Sequence, residues 1–102
     1  MRLLRVIASS DEYMPIDVFT DSDPTGETAP GISVVAPGGT HSSYTTGTWD
    51  SGGYNATLGK TVALLPSPLA LSLTAGRYSA RIRTALGAES PIYEDLSLEV
   101  TD

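Results

Sequence analysis

The chain has 102 residues, 40% of them hydrophobic and 18% charged, enough apolar surface to offset chain entropy in one core, so residues 1–102 read as a single folded domain and not as disorder. Twelve acidic against six basic residues leave a formal charge of −6, which excludes a general attraction to nucleic acid or to an anionic membrane. The absence of cysteine excludes both a disulfide framework and thiolate metal ligands.

Glycine, proline, serine and threonine interrupt the chain so often that no apolar 3.6-residue period runs beyond about two turns. What remains is short two-residue alternation, the pattern of strands with one buried face. Residues 3–8 form the first such run. Arg5 interrupts any signal-peptide core, and no apolar run reaches membrane-spanning length. Synthesis in a cytoplasm is therefore expected. Further strands are predicted at 16–20, 32–36, 44–49, 60–65, 69–73, 77–85 and 93–100. The seven prolines (15, 24, 30, 37, 66, 68 and 91) fall outside these runs, as befits a residue that cannot donate to a sheet ladder. Eight short strands predict an all-β, antiparallel sandwich or small barrel.

Between the second and third strands, residues 21–26 open like a calcium loop, with oxygen ligands at alternate positions and glycine sixth. The twelfth position is Ile32 instead of a carboxylate, so a proline-containing Asx turn is expected and no metal. Residues 21–31, 37–43 and 50–55 are the long polar connections where contact surface would lie. The only histidine, His41, stands beside Ser42 and Ser43 without a nucleophile elbow or an orienting acid. It reads as a solvated loop residue, and no catalytic residue or cofactor is predicted.

Tyr44, Trp49 and Tyr54 could form a sugar-stacking platform, but a spacing of five alternates faces along one strand. Trp49 is expected to plug the core with the tyrosines flanking it. Asn55-Ala56-Thr57 fits a glycosylation acceptor but lacks a secretory signal beside it.

The last third alternates most regularly. Leu69, Leu71 and Leu73, then Tyr78, Ala80 and Ile82, then Leu96, Leu98 and Val100 take the core parity. The last two strands are expected to form an antiparallel hairpin across residues 86–92. Arg77, Arg81 and Arg83 share the outward parity of one strand and carry half of the chain's positive charge. They would either pair with Asp95 and Glu99 across the hairpin or serve as a docking stripe for an acidic partner. A second docking candidate is the N-terminal segment 1–10, with Leu3, Leu4 and Arg5, by strand addition to a partner's sheet edge.

Residues 71–83 (LSLTAGRYSARIR) resemble the corner and following strand of immunoglobulin-like sandwiches, where a glycine turn delivers a tyrosine into the penultimate strand. No cysteine follows Tyr78, and Ala75 stands where such corners often carry aspartate. Extended through Glu89-Ser90-Pro91-Ile92 to residues 96–100, with Thr48-Trp49 upstream, the pattern is similar to small immunoglobulin-like virion proteins of tailed bacteriophages. That resemblance covers roughly the C-terminal half. It implies a non-enzymatic virion structural protein on the capsid shell, at the head-to-tail region or in the tail. Its partner would be the major capsid protein or another virion protein, and a homo-oligomer on the particle is compatible with that setting. A single compact acidic domain fits decoration of a capsid exterior best.

Overall fold

The computed structural model describes residues 2–26, 28–85 and 91–102. Among the described residues there are eight strands: β1 (Arg2–Ile7), β2 (Met14–Phe19), β3 (Gly31–Val35), β4 (Thr45–Thr46), β5 (Thr48–Trp49), β6 (Lys60–Leu65), β7 (Gly76–Thr84) and β8 (Ile92–Thr101). They form one sheet in the order β1-β8-β7-β3-β4 and a second in the order β2-β6-β5. The protein is thus all-β, in a two-sheet, sandwich-like and mostly antiparallel arrangement.

Alternation builds the core. Met14, Ile16 and Val18 of β2, Ala63 and Leu65 of β6, Ala80 and Ile82 of β7, and Leu96, Leu98 and Val100 of β8 are all buried, with Ile32 of β3 among them. Each strand sends one parity between the sheets because successive side chains point to opposite faces. The final hairpin forms as expected, with Tyr78 opposite Leu98 and Ala80 opposite Leu96. Of its expected connection, residues 86–90 lie outside the described residues.

Four expectations are corrected. First, β1 and β8 pair in parallel, Leu4 beside Leu98 and Val6 beside Val100. These strands come from opposite ends of the described chain, so no short hairpin forces them antiparallel, and either direction puts Leu4 and Val6 on the core side. Second, residues 44–49 are not one strand: β4 joins the first sheet and β5 the second. Gly47 lies at the crossing, its N–H donating to Pro30 O at 2.7 Å. A Cβ there would stand 2.5 Å from Leu64 O and 3.0 Å from Leu65 Cδ2, closer than packed atoms tolerate.

Third, residues 69–73 form a turn and no strand. Ser67 Oγ accepts the Ala70 N–H at 3.1 Å, and Leu71 N–H donates to Ser67 O at 3.0 Å. That is one helix-like turn with a serine cap and Pro68 in the first position. Leu71 and Leu73 still pack on the core, whereas Leu69 is exposed. Fourth, β2 starts at Met14, so Pro15 lies inside a strand. It is tolerated because β2 is an edge, paired only with β6.

Candidate docking surface

The outward face of the five-stranded sheet gathers most of the residues singled out in the sequence. On β7, Arg77 lies opposite Glu99, Arg81 opposite Asp95 and Arg83 opposite Tyr93. Arg81 grips Asp95 with two parallel bonds, Nε to Oδ1 at 2.6 Å and a terminal nitrogen to Oδ2 at 3.1 Å. The Arg81 hydrogen bonds hold the Asp95 carboxyl below its ordinary range. Arg77 reaches Glu99 at 3.0 Å and Arg5 of β1 reaches the same carboxylate at 3.3 Å. Two members of the arginine stripe are therefore paired across the hairpin.

Arg83 is held differently. Its guanidinium lies 4.7 Å from the Tyr44 ring centroid, and Tyr44 tilts against Tyr93 with centroids 6.2 Å apart. Gly31 beneath them permits the approach, since a Cβ there would stand 3.2 Å from Tyr44 Cβ and 3.6 Å from the guanidinium. Among the described residues Arg83 pairs with no carboxylate.

His41 occupies a position the sequence did not indicate. Residues 36–43 fold back over this face, and the imidazole lies between two strands. Nδ1 is 2.8 Å from Ser33 Oγ on β3 and Nε2 is 3.1 Å from Ser79 Oγ on β7. This cover explains why Ser33 is only 3% exposed on the outward parity of its strand. Its partners are not the adjacent Ser42 and Ser43 but serines 8 and 38 residues away. Only the β3–β7 register, with Val35 opposite Ser79 and Ser33 opposite Arg81, makes them neighbours.

Tyr44, Trp49 and Tyr54 do not share a surface. Tyr44 lies on the outward face, Trp49 packs against the core with its Nε1 buried and unbonded, and the Tyr54 hydroxyl donates to Thr20 O at 3.1 Å. In the loop after β2, Asp23 Oδ1 accepts the Thr25 hydroxyl at 2.6 Å and the Thr25 N–H at 2.8 Å, the expected Asx turn. Those bonds, the hydroxyl first, lower the Asp23 pKa. Among the described residues no cluster of metal-ligating side chains occurs.

The sheet edges differ in accessibility. β4 and β5 are two residues each, and β2 carries Pro15, a device that blunts an edge. β1 has six residues without proline, pairs among the described residues only with β8, and exposes Leu3 and Ile7. Between β1 and β2 the sheets leave a slit lined by Leu4, Val6, Met14, Pro15 and Ile16, with Leu96 at its floor. Leu4 and Val6 remain half-exposed there, although their β8 neighbours Leu98 and Val100 are buried. Comparison with protein-family models gives no match, and neither does comparison with curated proteins.

Proposed function

We propose that this chain is a non-enzymatic structural protein of a virion, an immunoglobulin-like sandwich that decorates the capsid shell by docking on the major capsid protein or another shell component. The observation that carries the docking reading is the long, unblunted edge of β1 beside an apolar slit, since such an edge is a template for pairing with another chain. With Arg77 and Arg81 paired at home, the edge is the better of the two docking routes.

The immunoglobulin-like part of the reading is supported by Tyr78. Its hydroxyl donates to Thr74 O at 2.8 Å, four residues upstream and across the Gly76 corner, as tyrosine corners of such sandwiches do. The virion setting rests on the resemblance of the C-terminal half. A net charge of −6 suits an outer surface better than contact with packaged DNA.

The test is a copy-number measurement by quantitative mass spectrometry on purified particles from the source that encodes the chain. Copies in the hundreds support decoration. A ring-sized dozen or fewer, counted by the same method, moves the protein to the neck or tail, and absence from particles overturns the virion reading.

A further inference from the structure

We propose that the free edge of β1 takes an extended segment of a partner protein in which an acidic residue stands between two apolar ones, the acid beside Arg5 and the apolar side chains in the slit between β1 and β2. The proposal names the partner chemistry of the docking surface above and rests on that reading of the edge.

The backbone decides which groups are on offer. Ala8 N–H donates to Thr101 O at 2.7 Å, and the Thr101 hydroxyl donates to Val6 O at 3.3 Å. Successive residues of an extended strand direct their amide groups to opposite edges, so Leu4, Val6 and Ala8 serve β8. Leu3, Arg5 and Ile7 therefore direct theirs to the open edge, where the Ile7 carbonyl is already taken by Ser10 N–H at 3.0 Å. An incoming strand finds paired donors and acceptors at Leu3 and Arg5 and a donor at Ile7.

Side chains set the sequence of that strand. Directly opposite residues of neighbouring strands share a face, so the residue beside Arg5 lies on the outward face and its two neighbours point inward. Inward means the slit, whose lining from Leu4, Val6, Met14 and Ile16 is apolar. Glu12 also borders it, and an apolar lining disfavours a buried carboxylate, which leaves the outward position for it.

There the local charge asks for one. Glu99 alone receives both Arg5 and Arg77, so two guanidinium groups share a single carboxylate and the row has a surplus of one positive charge. Arg5 is the outermost member, its side chain 70% exposed. A partner acid beside it continues the alternation from Arg77 through Glu99 and Arg5 to a fourth charge of the right sign. A second copy of β1 offers no such group. Residues 2–7 contain no acid, and an antiparallel self-pairing sets Leu3, Arg5 or Ile7 of the other copy beside Arg5.

The test uses the full chain, isotope-labelled, titrated by NMR with a short capped peptide of alternating valine and glutamate, and with the same peptide carrying lysine for glutamate. The expected result is amide shifts confined to β1, the facing side of β2 and Glu99, with the glutamate peptide binding at least tenfold more tightly. Leu3→Pro, which removes an outward donor and no bond to β8, should weaken binding tenfold or more while the rest of the spectrum stays native. Arg5→Gln should erase the preference between the peptides, and raising salt should erode it in wild type, which keeps the test valid if a variant fails to fold. No shifts at millimolar peptide, equal binding of both peptides, or shifts centred on Tyr44, Arg83 and Tyr93 would overturn the proposal. So would a wild-type dimer in sedimentation that Leu3→Pro dissolves, because the edge would then belong to a second copy. Peptide binding by a chain absent from particles would sink the virion reading alone. A particle component deaf to the peptide would sink this inference alone.

Discussion

Replacing Gly47 by alanine tests whether the chain crosses between sheets where β4 ends and β5 begins. The added methyl would stand 2.5 Å from the Leu64 carbonyl oxygen and 3.1 Å from Leu65 Cα, and both belong to β6, the middle strand of the smaller sheet. Neither is a flexible side-chain tip, so the backbone of β6 or of the crossing must move. Leu65 is fully buried, which makes β6 the harder to displace. Overpacking of this kind costs about 1 to 3 kcal/mol. Loss of alignment in the Gly47 N–H bond to Pro30 O adds about 0.5 to 1.5 kcal/mol. Against this, alanine reduces unfolded-chain entropy by about 0.4 to 1 kcal/mol. The net is a destabilisation of about 0.5 to 4 kcal/mol, centred near 2, and the central value lowers Tm by roughly 8 to 16 °C for a domain of this size. Gly26→Ala is the matched control, since a Cβ there meets nothing within 4 Å, and it should be neutral or stabilising by up to about 1 kcal/mol. Urea unfolding followed by tryptophan fluorescence and circular dichroism gives both values. Equal stability of the two variants would refute the crossing geometry.

Leu98→Ala should cost about 2 to 5 kcal/mol, because Leu98 is buried between Leu4 and Tyr78. Leu69→Ala should stay within about 0.5 kcal/mol, since Leu69 is exposed on its turn; comparable losses in the two unfolding curves would restore the strand at 69–73. Tyr78→Phe keeps the ring but deletes the bond to Thr74 O, with an expected cost of about 0.5 to 1.5 kcal/mol in the same assay. For Asp95 the folded pKa is depressed, chiefly by the Arg81 hydrogen bonds. Its stabilising effect is therefore complete above the unfolded value of about 3.9 and lost as pH falls through the lower folded value. Denaturation midpoints of wild type and Asp95→Asn should accordingly differ near neutrality and converge in acid below that window, whereas a gap that persists there would contradict the pairing.

Much of the core was legible because two-residue alternation has one solution wherever one sheet face is buried. Ala80, Ile82, Leu96, Leu98 and Val100 followed from parity alone, as did the outward position of Arg77, Arg81 and Arg83; parity left their role open between pairing and docking, and Arg77 and Arg81 pair with Glu99 and Asp95 while Arg83 stacks on Tyr44. Alternation is silent about strand direction, so the parallel β1–β8 pair could not be read from it. It is also mimicked by a turn: Leu69, Leu71 and Leu73 alternate in sequence, while Ser67 and Pro68 wind the backbone that carries them. His41 was read against its sequence neighbours, yet its partners are brought by the register of two strands distant in the chain. The same holds for the docking edge. Local propensity marks residues 3–8 as a strand, one residue from the observed Arg2–Ile7, but whether a strand is central or exposed, blunted by a proline or flanked by an open slit, is a property of sheet order. Sheet order is fixed by contacts between residues such as Leu4 and Leu98, which no local pattern records.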